Sequence, residues 1–215
     1  MKYFVLTTTF LFAAVYLHAQ NYPEPEFSKE VYYLKKDSVH SVIRLEKTSA
    51  KMETKTKAAG FGGYENGYVF DGDKSDVRLS KGSNLSFVFS TGSSASAKSS
   101  SPAQDSIMRA NGMDPSMTSG MMGGMNDPAN TITLYKTESG KGKRKILMQK
   151  AGGAFSAKKL QSSDKYTFSV KKIREGYWEL VIDKTLPKGE YAFNMMGMGM
   201  GNMDGSTTVF AFAVD

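Results

Sequence analysis

Leu186-Pro187-Lys188-Gly189-Glu190-Tyr191-Ala192-Phe193 joins two apolar runs whose period is two. Before it, Trp178, Leu180 and Ile182 alternate with Tyr177, Glu179 and Val181. After it the chain closes on Phe210, Phe212 and Val214. Side chains two positions apart share a face of a strand, not of a helix, so each run reads as a strand with one face turned to a core. Pro187 and Gly189 supply the turn between them.

The same period extends outward. Val39, Ser41, Ile43 and Leu45 alternate with His40, Val42, Arg44 and Glu46, and Leu85, Phe87 and Phe89 continue the pattern. Ile132 and Leu134 follow, then Tyr166, Phe168 and Val170. Lys51, Glu53, Lys55 and Lys57 alternate with Met52, Thr54 and Thr56, a strand with one solvated face that places Met52, like Met148, toward the core. Turn chemistry marks Glu65-Asn66-Gly67, Lys81-Gly82-Ser83, Ser139-Gly140-Lys141-Gly142, Arg174-Glu175-Gly176 and Pro187-Lys188-Gly189. Roughly ten short strands without helices between them predict an all-β, antiparallel sandwich or barrel.

One short helix is expected, with Ser101 as N-cap, Pro102 at the first helical position, Gln104 completing a capping box and Gly112 closing the far end. It falls within residues 92–130, a stretch rich in Ser, Gly and Met that is too long for a hairpin connection. The β pattern resumes beyond it, so the expected organisation is a single domain over 20–215 with an inserted loop at 92–130.

The Leu186–Phe193 stretch resembles the Leu-x-Pro-Gly-x-Tyr corner of immunoglobulin-like and fibronectin-type sandwiches, with proline two positions before glycine rather than one. That resemblance implies a β-sandwich in which Tyr191 hydrogen-bonds back across the turn. The corner, the strand-rich body and the terminal Phe210-Ala211-Phe212-Ala213-Val214-Asp215 also resemble uncharacterised secreted proteins of the Bacteroidota. This second resemblance implies no activity.

At the start of the chain, Lys2 precedes an uncharged apolar run from Tyr3 to Leu17, then His18-Ala19-Gln20. This reads as a signal peptide over 1–19, cut between Ala19 and Gln20. About 15 apolar residues fall short of the ~20 that span a bilayer, so no transmembrane anchor is expected after cleavage. The expected location is exported, periplasmic or extracellular. The chain has no cysteine, so an ordinary core must replace disulfides. Removing Lys2 lowers the net charge from +7 to +6. In that compartment the expected partner is a protein or an anionic surface, such as lipid headgroups or acidic glycans, and not nucleic acid.

Several chemistries lack their residues. With no cysteine and only His40 left after processing, there is no Cys/His nucleophile pair and no Cys/His zinc site. No Gly-x-Ser-x-Gly elbow accompanies His40. Asp71-Gly72-Asp73-Lys74-Ser75-Asp76 spaces oxygen donors as calcium loops do, but Gly82 stands where a bidentate glutamate is needed, so it reads as a polar turn. Lys141-Gly142-Lys143-Arg144-Lys145 reads as a solvated hairpin tip.

What stands out is methionine. Eleven of the 14 lie in two segments, Met108 to Met125 and Met195 to Met203. Met113, Met117, Met121 and Met125 recur every fourth residue, with Met122 beside them, but Pro115, Gly120, Gly123 and Gly124 oppose a helix there. Met196, Met198 and Met200 alternate with glycine, so an extended backbone would put three thioethers on one face. Three functional readings follow. The first is an exported, non-enzymatic protein that binds a partner or surface through these segments and has no cofactor. The second is a soft-metal binder for Cu(I) or Ag(I), with ligands from Met113, Met117, Met121, Met122, Met125, Met196, Met198 and Met200, resembling periplasmic copper carriers with Met-rich motifs. The third is a hydrolase that uses two carboxylates distant in sequence.

Overall fold

The computed structural model describes residues 22–57, 62–82, 85–92, 107, 110–111, 127–153, 160–195 and 205–215. Along them run fourteen strands: β1 (Val31–Lys36), β2 (His40–Arg44), β3 (Glu46–Thr56), β4 (Gly63–Asp71), β5 (Arg78–Leu79), β6 (Ser86–Ser90), β7 (Thr133–Lys136), β8 (Glu138–Gly140), β9 (Lys143–Gly152), β10 (Lys165–Tyr166), β11 (Phe168–Arg174), β12 (Tyr177–Ile182), β13 (Gly189–Asn194) and β14 (Ser206–Val214). They form two sheets. One has five strands in the order β11-β12-β6-β1-β2; the other has nine, in the order β10-β7-β13-β14-β3-β4-β9-β8, with β5 beside β14. Every named pair is antiparallel except β5 with β14, which is parallel.

Between the sheets lies the core the alternation required. Val31, Phe87, Phe89, Leu180 and Ile182 face Leu134, Tyr191, Phe193, Phe210, Phe212 and Val214 across it. Phe87 touches Phe193 and Phe212 with ring centroids 4.9 and 5.0 Å apart. Leu45 also enters this core, at the point where the chain passes from β2 to β3 and so from one sheet to the other. Tyr191, fully buried, donates its hydroxyl to the Pro187 carbonyl at 2.5 Å. The bond across the corner is the one expected from the Leu186–Phe193 stretch.

The nine-stranded sheet curls on itself. Between β7, which pairs with β13, and β8, which pairs with β9, stands only Thr137. Segment 161–163 bonds to β9 through Gln161 and Ser163, and β10 then bonds to β7. The ladder therefore closes into a barrel, filled by Ala50, Phe70, Tyr135, Ile146, Ala192, Val209 and Ala211. Small residues dominate β13 and β14 here because the opposite faces of those strands already carry the large aromatics of the sandwich core. The outer face of the five-stranded sheet bears Tyr32, Leu34, Val88 and Tyr177 and is crossed by the N-terminal stretch, where Tyr22 packs on it and Tyr177 donates to the Pro23 carbonyl at 2.6 Å.

Three expectations need correction. Glu65-Asn66-Gly67 is not a turn but lies inside β4, at a shift in register against β9. Gly67 is required there because a Cβ would lie 2.4 Å from the Ile146 carbonyl oxygen, a close approach of backbones rather than a reversal. The reversal falls earlier, where Gly62 donates to the Lys57 carbonyl at 2.9 Å. Met52, expected toward the core, is 42% exposed, because the β3–β4 ribbon outruns the strands that would cover it. Val39 and Ile43 are likewise exposed, since β2 is an edge strand.

Ile107 and Ala110 have helical backbone, and the Asn111 N–H donates to the Ile107 carbonyl at 3.1 Å, inside the helix expected from Ser101 to Gly112. A second short helix, α1 (Pro128–Thr131), was not expected. Asp127 caps it by accepting from the Ala129 N–H at 2.9 Å, with Pro128 in the first turn.

Candidate functional site

Met113, Met117, Met121, Met122, Met125, Met196, Met198 and Met200 lie outside the described residues, as do residues 1–21. Strand pairing places three of the four ends of the backbone that carries the two methionine segments; the fourth, at Gly92, follows β6 in the five-stranded sheet. Asn194, the last residue of β13, stands opposite Thr133, the first residue of β7. Thr207, on the returning strand, donates its hydroxyl to Asn194 Oδ1 at 3.0 Å. The chain leaving the first segment through α1 and the chain entering and leaving the second therefore meet at one end of the barrel.

Two of the described thioethers belong to this end. Met195 is partly buried against the sandwich core, because it continues the inward alternation of Tyr191 and Phe193. Met52 donates its N–H to the Gly205 carbonyl at 3.4 Å, so its exposed side chain is rooted beside the second segment. Only strand pairing reveals this, as Met52 and Gly205 lie 153 positions apart in the chain. Asn194 itself is fully buried, and its Nδ2 has no hydrogen-bond partner among the described residues. An unpaired buried amide is costly, so this end of the barrel retains a donor that the strand ladder did not use.

The opposite end is built from charge. Arg144 is 1% exposed, binds Glu46 at 2.5 and 3.0 Å and lies 3.8 Å from Glu190. It also donates to the Gly72 carbonyl at 2.8 Å and covers the Phe70 ring at 4.8 Å. The Ser75 N–H donates to Glu190 at 2.9 Å, so the Asp71–Asp76 loop serves as a lid on this cluster. Burial pushes the Glu190 carboxyl above its ordinary range, against the pull of that N–H and of Arg144 and Arg78. Lys141 and Gly142 form the hairpin turn with φ of 57° and 73°. The basic run is thus divided: Arg144 points inward, Lys143 reaches Glu53 at 3.7 Å and Lys145 pairs with Glu65.

Acids also line a cleft of about 740 Å³ between the N-terminal stretch and the β11–β12 turn, with Glu24, Glu26, Glu175, Arg174 and Tyr177 in its walls. Glu24 pairs with Arg174, and Glu175 pairs with Lys172 at 2.6 Å. Two of the three acids, Glu24 and Glu175, are therefore engaged by cations. His40 stacks on Tyr22 with centroids 6.2 Å apart. Among the described residues no three His, Cys, Asp or Glu side chains converge on a point that would hold a metal ion, and no helix is long and apolar enough to cross a membrane.

The chain matches no protein-family model, no curated protein and no solved structure.

Proposed function

We propose that this chain is an exported, non-catalytic β-sandwich protein that binds a partner through its two Met/Gly segments, presented together at one end of the barrel. The supporting observation is the register of Asn194 against Thr133, with Thr207 bonded to Asn194. Anchorage of the exit of the first segment and both ends of the second on one sheet suits a methionine-rich binding surface, because the unbranched thioether adapts to irregular apolar partners. The exposed Met52 extends that surface.

The same register favours a second reading, a shared soft-metal site for Cu(I) or Ag(I) with thioether ligands from both segments. One experiment separates the two. Met121, Met122, Met125, Met196, Met198 and Met200 are changed together to leucine or to serine, and Ag(I) uptake and capture of cell-envelope proteins by the immobilised chain are both measured. Partner binding requires that the leucine variant keep the capture profile while the serine variant loses it. Stoichiometric Ag(I) uptake that vanishes in both variants identifies the metal site instead. Capture that persists in both removes the proposal.

A further inference from the structure

The tip of the β3–β4 ribbon and the end of β9 enclose a hollow of about 260 Å³. It is walled by glycine: Gly62 and Gly63 on one side, Gly152 and Gly153 on the other, with Gly63 paired to Gly152. Gly63 has φ +95°, and a Cβ on it would lie 2.3 Å from the Ala151 carbonyl oxygen. The close packing of β4 on β9 demands glycine there, and it leaves this part of the wall as backbone.

Ala151 and five polar side chains complete the lining: Lys57, Tyr64, Glu65, Lys150 and Gln161. Glu65 is already shared between Lys145 and Lys150, the latter at 3.3 Å. Among the described residues Lys57 has no carboxylate within ion-pair distance, so the hollow carries excess positive charge. The Lys57 stem lies close over Gly62, and its backbone N–H donates to the Gly63 carbonyl at 3.0 Å, so the base of this side chain is held in place. Gln161 is tied at the rim by two backbone bonds with Lys150, at 2.8 and 3.0 Å.

We propose that this hollow binds an acidic saccharide unit, a carboxylate or sulfate carried on a hydroxylated ring. The Lys57 ammonium receives the oxyanion, the Gln161 amide meets ring hydroxyls and the Tyr64 ring offers a flat face. The volume lies below the roughly 300 to 1,000 Å³ of sites for drug-sized ligands, which suits a single ring. A bare phosphate would leave Tyr64 and Gln161 without a role. The site is independent of the methionine segments.

The test titrates the full mature chain with a glucuronate-containing tetrasaccharide, a sulfated disaccharide, neutral cellotetraose and inorganic phosphate, followed by calorimetry or amide chemical shifts. An acidic saccharide binds, Lys57→Gln weakens it at least tenfold and Lys57→Arg stays within threefold. Lys51→Gln, an exposed lysine on the same ribbon outside the hollow, leaves binding unchanged. The inference is overturned if no acidic saccharide binds at millimolar concentration, if Lys57→Gln binds like the parent, if Lys51→Gln loses as much, or if cellotetraose or phosphate binds equally well.

Discussion

Arg144 and Glu46 meet inside the barrel, where a guanidinium only 1% exposed holds both oxygens of a carboxylate from a strand 98 positions away. Replacing Arg144 with leucine leaves Glu46 without its cation and Glu190 with only Arg78, at 3.9 Å. Losing one member of a buried pair costs about 3 to 5 kcal/mol, and the Arg144→Leu/Glu46→Leu double variant recovers some of it. Urea unfolding measures both. A single-variant loss below about 1 kcal/mol would show that the carboxylates escape to water.

Stability depends on pH through acids of opposite sign. Desolvation raises Glu179, but hydrogen bonds from Lys36 and Tyr22 outweigh it and hold its carboxyl below the ordinary range. Glu30 behaves likewise under Arg44 and Lys47. Their contribution is present above the ordinary carboxylate range and is lost as pH falls through their lowered values, so Glu179→Gln flattens the acid limb of the stability curve. Glu190 is raised, so its protonated form is the one favoured by folding, and the parent loses ground to Glu190→Gln as pH rises through that range. Thermal unfolding at a series of pH values checks both slopes, and parallel curves for parent and Glu190→Gln would refute the second.

Tyr191→Phe keeps the ring that stacks on Phe212 at 5.5 Å and removes the hydroxyl that bonds the Pro187 carbonyl and Tyr166. The expected loss is about 1 to 3 kcal/mol, with the denaturant slope unchanged. No loss would mean that water replaces the phenol at the corner.

Two left-handed glycines should respond differently to alanine. At Gly142, φ +73°, no described atom lies within 4 Å of the new Cβ, and the cost is about 1 kcal/mol of backbone strain. Gly63→Ala meets the Ala151 carbonyl oxygen at 2.3 Å and must push β4 away from β9, so its melting temperature should fall several times further. Equal shifts would contradict the register of β4 on β9.

Peroxide should oxidise Met52 before Met148, because Met52 is 42% exposed whereas Met148 packs against the barrel interior. Peptide mapping over a time course gives the order. Oxidation of Met148 first would require the ribbon to be covered and the barrel open.

Much of the architecture is legible in residue order because a strand exposes its face at every second residue. Phe87, Phe89, Leu134, Leu180, Ile182, Phe210, Phe212 and Val214 are all identifiable by that period, and all meet in one core. Period two does not say which strands neighbour each other, and glycine is ambiguous: Gly67 serves a close backbone approach, while Gly176 serves a turn. The candidate site is half legible. The methionine segments are conspicuous by composition, whereas Met52 and Asn194 join them only through strand pairing.

The sequence by itself determined the β class, the aromatic core and the turn at Pro187, because alternation, apolar burial and proline geometry act between near neighbours in the chain. Only the tertiary structure decided that one sheet would close into a barrel, that Arg144 would leave its basic run for the interior, and that the exit of the first methionine segment would meet both ends of the second. These outcomes depend on hydrogen bonds and ion pairs between residues far apart in the chain, Glu46 and Arg144 among them. Only the folded chain brings such partners together.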